Sequence, residues 1–229
     1  DRAFETTGMT AVAPDELRRA VEEVLVAAHL DDARLRITIT SGPGPPGLRR
    51  GTTPTVVVAA TPLPAALTTA PLRVVTVPGA RNERAPLAGV KTTSYAEAAA
   101  LQALADRIGA DDVLLGDSRE RLSEATTANV FVVLDDRLVT PSQGSGCLAG
   151  IVRELLLDAH VAEEADIALA SLNEATEVFL TSSVAGVRPV ASIDDSPVPV
   201  VDGPAARAAR LTIAAAEAAE AARRSDPTS

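Results

Sequence analysis

The residues of this chain that could do chemistry fall into four short segments. Lys91 lies in the small, polar stretch PLAGVKTTSY, and Glu124 follows thirty-three residues later in LSEATTANVF. Two further segments, SGCLAGIVRELL and VFLTSSVAGVRPV, combine glycine with small hydroxyl residues. Together the segments offer an amine nucleophile, a carboxylate and two turns whose backbone and hydroxyl groups could hold an anion.

Lys91 is the only lysine of the chain, and the other twenty of its 21 basic residues are arginine. The guanidinium of arginine stays protonated, whereas a lysine amine can lose its proton and form a Schiff base. A single lysine in an arginine-rich chain therefore favours a chemical role for Lys91. A residual surface lysine is the alternative, and this residue alone does not decide between the two.

Glu124 and the two later segments meet the needs of one cofactor. A carboxylate beside a pyridine nitrogen keeps that nitrogen protonated and strengthens the ring as an electron sink. Backbone N–H groups at the start of a predicted helix, together with the helix dipole, suit a phosphate. The candidate phosphate ligands are Gly150, Ile151, Val152, Ser182 and Ser183, and Thr181 is a further hydroxyl donor beside the two serines. These residues predict a site for pyridoxal 5'-phosphate (PLP), although each of them taken singly is equally consistent with an ordinary surface position.

Several arginines could bind the carboxylate of a substrate in bidentate fashion. Arg81 is the residue that we assign to substrate binding. Arg84, Arg153 and Arg188 are further candidates, and for each arginine a surface position is the alternative. Cys147 is interpreted as a small, buried packing residue.

The composition argues against several other classes of function. The net charge of −10 disfavours binding to nucleic acid or to an anionic membrane. One cysteine and two histidines argue against a disulfide framework and against a metal site. No apolar stretch approaches the roughly 20 residues that span a bilayer, and no signal-peptide pattern is present. We therefore expect a cytoplasmic protein.

Hydrophobic periodicity predicts a mixed order of helices and strands, so the fold class is α+β (mixed α/β). Helices are expected over 13–30, 94–108, 151–161 and 204–223, and a capping box is expected at Ser171 and Glu174. Strands are expected over 34–42, 54–64, 73–78, 111–117, 125–141, 177–183 and 187–194. The continuous apolar run 54–64 indicates a strand buried on both faces. A linker-like stretch at 62–71 divides a small N-terminal α/β domain (1–66) from a larger domain (67–229).

The motifs and their order resemble the class IV aminotransferase family, the fold-type IV PLP enzymes. The matching set is K-T-x-S-Y, E-x-x-x-x-N-V-F, L-V-T-P, L-x-G-I-x-R, V-F-L-T-S-S and V-x-P-V, in that order. The family includes branched-chain aminotransferases, D-amino acid aminotransferases and 4-amino-4-deoxychorismate lyases. The resemblance implies a two-domain PLP enzyme that works as a homodimer.

The resemblance also implies roles for single residues. Lys91 would carry the cofactor and move protons, and Glu124 would pair with the pyridine nitrogen. Tyr95 would lie near the phenolic oxygen of the cofactor, and Asn129 would support the loop behind the ring. The backbones of Ile151 and Val152, with Ser183, would hold the phosphate. Two departures stand out: Val152 replaces the usual threonine, and the phosphate-binding arginine that the family carries upstream of DRAFETTGM is absent, so we expect an incomplete small domain.

The stretch GARNERAPLAGVKTTSY is most similar to the lyases, which carry Arg-Asn and then Leu-Ala-Gly before the lysine. The leading prediction is therefore a 4-amino-4-deoxychorismate lyase that gives 4-aminobenzoate and pyruvate. A branched-chain or D-amino acid aminotransferase is the first alternative. A non-catalytic or cropped homologue that binds PLP weakly is the second.

Overall fold

The computed structural model describes residues 2–47, 49–63 and 70–225, which fold as two compact units. Of the described residues, the first unit comprises 2–47, 49–63 and 90–93, and the second comprises 70–89 and 94–225. The predicted domain boundary between residues 66 and 67 lies outside the described residues. Lys91, which the sequence analysis placed in the larger domain, groups with the first unit.

The first unit contains two helices and a two-stranded antiparallel sheet. Its elements are α1 (Arg2–Thr7), α2 (Pro14–Ala28), β1 (Ala33–Thr40) and β2 (Thr55–Pro62). Helix α2 packs against β2. The expectation that β2 is buried on both faces is wrong: Val57 is 54% exposed and partly buried residues alternate with exposed ones. Helix α2 is the layer that packs on β2 within this unit, and the exposed alternate residues of β2 have no comparable cover among the described residues.

The second unit is built on a nine-stranded mixed sheet. Its strands are β3 (Leu72–Arg81), β4 (Asp112–Asp117), β5 (Leu122–Ala125), β6 (Asn129–Leu134), β7 (Arg137–Pro141), β8 (Glu163–Ala165), β9 (Glu177–Ser182), β10 (Gly186–Ile193) and β11 (Ser196–Pro197). The strand order is β5-β4-β3-β10-β9-β6-β7-β8, and β11 pairs with β10. The sheet curls so that its end strands, β5 and β8, come together. The Leu122 N–H of β5 donates to the Ile167 carbonyl, two residues beyond β8, at 2.8 Å.

The two faces of this sheet carry different cores. Side chains alternate along a strand, so Val130 and Val132 of β6 face one core while Phe131 faces the other. Phe131 stacks on its cross-strand partner Phe179 with ring centroids 5.1 Å apart. Helices α4 (Ile151–Asp158) and α5 (Pro204–Ser225) cover the phenylalanine face, and α3 (Ala96–Ile108) packs on β4.

The predicted fold class is confirmed, and so are most of the predicted elements. Helix α3 ends where expected, at Gly109 with φ 75°. The hairpin between β6 and β7 turns at Asp135 and Asp136, both with positive φ. The capping box is wrong, because Ser171 lies inside a short 3₁₀ helix, Leu169–Glu174, rather than at its start.

Strand β3 is longer than the sequence suggested. Pro78 and Gly79 do not end it but form a bulge: Val77 pairs with Leu115, and the next pairing is Arg81 with Asp117. Proline has no N–H for the ladder, and glycine supplies the positive φ of 70° that the extra residues require. The strand therefore continues to Arg81. Among the described helices none is both long and apolar enough to cross a membrane.

Candidate active site

Glu124 is a buried carboxylate held from two sides. It lies on the short strand β5 and is only 7% exposed. Its Oε2 accepts the backbone N–H of Leu148 at 2.9 Å, and its Oε1 forms an ion pair with the guanidinium of Arg81. A cation and a hydrogen-bond donor both favour the ionised form of a carboxyl group. Glu124 is thus presented as a fixed negative charge with little water around it.

Arg81 reaches Glu124 because of the bulge in β3. The bulge pairs Arg81, the last residue of β3, with Asp117, the last residue of β4 before the turn that leads to β5. Burial lowers the pKa of the Arg81 guanidinium, and the negative charge of Glu97 opposes that shift. Its Nε is buried and has no hydrogen-bond partner in the described part of the chain. The role of Arg81 in binding a substrate carboxylate stays a prediction, and in this structure its guanidinium contacts Glu124.

The segment that supplies the Leu148 N–H runs from Ser142 to Gly150, and we call it the site segment. Asn129 donates from Nδ2 to the Leu148 carbonyl at 2.8 Å. A Cβ at Gly150 would lie 2.1 Å from the Oδ1 of Asn129, so a larger residue at position 150 requires this amide to shift. Asn129 has the same strand parity as Phe131 and therefore points toward the face that α4 covers. This parity explains why the start of α4 abuts Asn129.

Helix α4 begins at the end of the site segment. Gly150 is its N-cap, and the first intrahelical bond runs from the Glu154 N–H to the Gly150 carbonyl at 2.9 Å. The first turn of an α-helix presents N–H groups without intrahelical partners and a partial positive charge. The predicted phosphate donors Ile151 and Val152 occupy this turn, and Ile151 is 73% exposed.

Thr181, a hydroxyl residue of the segment VFLTSSVAGVRPV, is buried. It pairs with Asn129 across β9 and β6, so both side chains lie on the α4-covered face. It is 2% exposed, and its Oγ1 has no hydrogen-bond partner in the described residues. Ser182 differs, since its Oγ accepts the Ala185 N–H at 3.2 Å and closes the β9–β10 turn. Ser183 is exposed in the same turn.

Tyr95 immediately precedes α3 and is 39% exposed. It lines a shallow cavity of about 300 Å³ together with Gln102, Thr126, Thr127 and two alanines of α3. Asp112 holds this edge of the cavity in place, because its Oδ1 accepts the Thr126 hydroxyl at 2.7 Å.

Lys91 is exposed within residues 90–93 of the first unit.

Arg153, one of the candidate substrate-binding arginines, is a structural residue. It is 1% exposed, donates to the Pro141 carbonyl at 2.8 Å and pairs with Glu164. A guanidinium enclosed in this way cannot reach a ligand in solution. Burial also raises the pKa of the Cys147 thiol, which agrees with its interpretation as a packing residue.

The donor set of the second unit fits the group that the sequence predicts. A carboxylate locked by Arg81 and the Leu148 N–H suits a protonated ring nitrogen. An open helix start behind a glycine N-cap and the orphaned Thr181 hydroxyl suit a phosphate. No signal in the sequence joins Arg81 to Glu124, since the two residues meet only through the bulge.

Comparison with known proteins identifies relatives over most of the chain. A family model described as "Amino-transferase class IV" matches residues 5–193. A candidate branched-chain amino acid aminotransferase of Methanocaldococcus jannaschii is 31% identical over 188 residues, which make up 79% of this chain and 65% of that protein. The chain thus spans less than two thirds of the length of this curated relative.

Two solved structures have closely similar folds. A candidate 4-amino-4-deoxychorismate lyase from Legionella pneumophila superposes with a TM-score of 0.85 at 24% identity, over 93% of this chain and 81% of that one. A structure described as "a hypothetical aminotransferase from Mycobacterium tuberculosis", solved in its PLP-bound form, superposes with a TM-score of 0.79 at 25% identity, over 93% and 80% of the two chains.

Proposed function

The chain belongs to the class IV amino-transferase family, whose members use PLP, and we propose that it binds PLP and transfers an amino group from an α-amino acid. The observation that carries this proposal is the buried Glu124, clamped between Arg81 and the Leu148 N–H. The aminotransferase name of the M. jannaschii relative supports transamination over other PLP reactions.

Bound PLP supplies an electron-accepting ring that stabilises negative charge at the α-carbon of the substrate. Glu124 would accept a hydrogen bond from the ring nitrogen and hold the proton there. Arg81 and the Leu148 N–H keep the carboxylate ionised and in place before anything binds. Preorganised charges in a site with little water act more strongly than the same charges in water.

The phosphate would be held at the other end of the site segment. The first-turn N–H groups of Ile151 and Val152 offer backbone donors, and the buried Thr181 hydroxyl offers a side-chain donor. Ser183 is the second hydroxyl that we assign to this contact. Val152 contributes only its N–H, so the hydroxyl donors of β9 and its turn carry the rest of the contact.

Lys91 would hold the cofactor covalently and remove the α-proton of the substrate. This role follows from the resemblance and from the chemistry of lysine, whose amine can be neutral at a site where arginine stays charged. Tyr95 would contact the phenolic oxygen of the ring. We also propose a homodimer in the cytoplasm, and light scattering of the purified protein measures its oligomeric state.

A lyase reaction on 4-amino-4-deoxychorismate is the second candidate. The observation in its favour is the stretch before Lys91, where Arg81-Asn82 and Leu87-Ala88-Gly89 are similar to the lyases. Both reactions begin with removal of the α-proton. They diverge afterwards, because the lyase substrate carries a leaving group on its β-carbon and an ordinary amino acid does not.

Product analysis separates the two candidates. The PLP-loaded protein is incubated with 2-oxoglutarate and a panel of branched-chain and D-amino acids, and separately with 4-amino-4-deoxychorismate. Glutamate formation in the first mixture supports the aminotransferase, and equal amounts of 4-aminobenzoate and pyruvate in the second support the lyase. The Lys91→Arg variant keeps the charge, removes the amine and is expected to be inactive in both. A wild-type protein that binds PLP and forms neither product set would overturn both candidates.

A further inference from the structure

Four hydrogen bonds tie β5 and the residue before it to the site segment. The Arg121 guanidinium donates from Nη2 to the Gly144 carbonyl at 2.9 Å. The Ser123 hydroxyl donates to the Ser145 carbonyl at 2.9 Å and accepts the Ser145 hydroxyl at 3.4 Å. The fourth bond is the one between the Leu148 N–H and the Glu124 carboxylate. Strand β5 and the site segment therefore run side by side, with contacts before, beside and at Glu124.

The first of these contacts is itself rigidly supported. Arg121 donates from Nε to Asp117, which is fully buried, and from Nη1 to Asp166, each at 2.8 Å. Asp166 in turn accepts the hydroxyl of Ser142, the first residue of the site segment, at 2.5 Å. A guanidinium held by two carboxylates presents its remaining N–H groups in a fixed direction.

The site segment needs support from outside because its own backbone is permissive. It contains Gly144, Gly146 and Gly150, and Gly146 has a φ of 82°. Glycine restricts the backbone less than any other residue, so a segment with three glycines has many conformations to exclude. The Ser123 bond lies between Gly144 and Gly146, at the buried Ser145, where rotation of the backbone would otherwise be easiest.

We propose that Ser123, reinforced by Arg121, is a positioning residue that holds the site segment so that the Leu148 N–H meets Glu124. The inference rests on the proposed function, because the consequence for the site is tighter binding of PLP. Ser123 itself touches neither the predicted ring nitrogen contact nor the phosphate contact. Its effect passes through the Ser145 carbonyl to the backbone three residues further along.

The alternative is that Ser123 makes an ordinary buried hydrogen bond that stabilises the fold and does nothing particular for the site. Thr140 supplies the matched control. Its hydroxyl is fully buried and donates to the Val130 carbonyl at 2.8 Å, so this bond stays within the sheet and does not reach the site segment. Ser123→Ala and Thr140→Val each remove one buried hydroxyl-to-carbonyl bond of nearly equal length, and Ser123→Ala also removes the longer contact of 3.4 Å with the Ser145 hydroxyl. A merely structural role predicts that both variants lose stability and behave alike at the site.

Two measurements test the proposal on full-length protein. Hydrogen–deuterium exchange of the cofactor-free protein follows the peptide 143–150, and fluorescence titration gives the dissociation constant for PLP. Loss of one hydrogen bond corresponds to about a fivefold change in an equilibrium constant. We expect Ser123→Ala to speed exchange in 143–150 and to raise the dissociation constant by about this factor each. Thr140→Val should change neither quantity.

Equal exchange in the two variants, or an unchanged PLP dissociation constant in Ser123→Ala, would overturn the positioning role. Arg121→Lys provides a second test if Ser123→Ala does not fold, since it keeps a cation beside Asp117 but loses the fork that reaches the Gly144 carbonyl. It should speed exchange in 143–150 as well, and unaltered exchange would count against the proposal. Wild-type protein that binds no PLP would overturn the proposed function, whereas normal wild-type binding with unaffected variants overturns only the inference drawn on Ser123.

Discussion

The ion pair between Arg81 and Glu124 makes a quantitative prediction about folding that requires no cofactor. The side chain of Glu124 is 9% exposed and that of Arg81 is 23% exposed. Arg81→Met keeps most of the apolar stem and removes the charge, which leaves the carboxylate of Glu124 with the Leu148 N–H as its remaining contact. Glu124→Gln removes the opposite charge and keeps the side-chain shape. The two changes together form a double-mutant cycle.

Breaking a buried ion pair by removing one partner costs about 3–5 kcal/mol when both charges are fully desolvated. Nearly a quarter of the Arg81 side chain is in contact with water, which screens part of the interaction. We therefore expect Arg81→Met to lower the free energy of unfolding by roughly 2–3 kcal/mol. The double variant no longer contains an unpaired charge, so its loss should be smaller than the sum of the single losses by about 1–2 kcal/mol.

Urea unfolding followed by tyrosine fluorescence is suited to this measurement. Tyr95 is the only tyrosine, the chain has no tryptophan, and Tyr95 belongs to the same unit as the ion pair. The signal therefore reports on the unit that the variants disturb. Effects of Arg81→Met and Glu124→Gln that add to within about 0.5 kcal/mol would refute the reasoning, because independent sites behave in that way.

Two other features give predictions that can be checked separately. Gly150→Ala places a methyl group 2.1 Å from the Oδ1 of Asn129, so we expect a loss of about 1–3 kcal/mol in stability and a higher PLP dissociation constant; unchanged values would show that the amide can move aside at no cost. The hydroxyl of Ser118 lowers the pKa of Glu83 from its usual 4.5 to about 2. Stability from this group is present above pH 4.5 and lost as the pH falls toward 2, so Glu83→Gln should flatten the acid side of the unfolding curve measured between those values. Glu217→Gln, an exposed change on α5, is the control, and equal slopes in the two variants would contradict the assignment to Glu83.

Local signals predicted the elements of the fold well. The alanine-rich stretch before Gly109 predicts α3 because strong helix formers end at a residue that readily adopts positive φ. Asp135 and Asp136 predict the β6–β7 hairpin because both tolerate the left-handed region. The motifs that resemble the family also follow one another in order from Lys91 onward, and those after Thr93 lie in the second unit, so the class of the fold follows from sequence alone.

The sequence could not predict features that depend on partners far along the chain. Proline and glycine usually end a strand. Here β3 pairs with a strand on each side, and Pro78 and Gly79 form a bulge within it. The Arg81–Glu124 pair follows from that bulge and so has no local signature. The apolar run of β2 led to the wrong prediction that both of its faces are buried. A run of apolar residues shows that a strand could be buried, but it does not show how many layers pack on the strand.

The most direct test of the central claim is to identify the residue that holds PLP. Purified protein is mixed with PLP, reduced with borohydride, digested and analysed by mass spectrometry. Lys91 is the only lysine, so the account predicts a phosphopyridoxyl group on the peptide that contains it and none on that peptide in Lys91→Arg. No modification of Lys91 in wild-type protein, or modification of the N-terminal amine alone, would contradict the account.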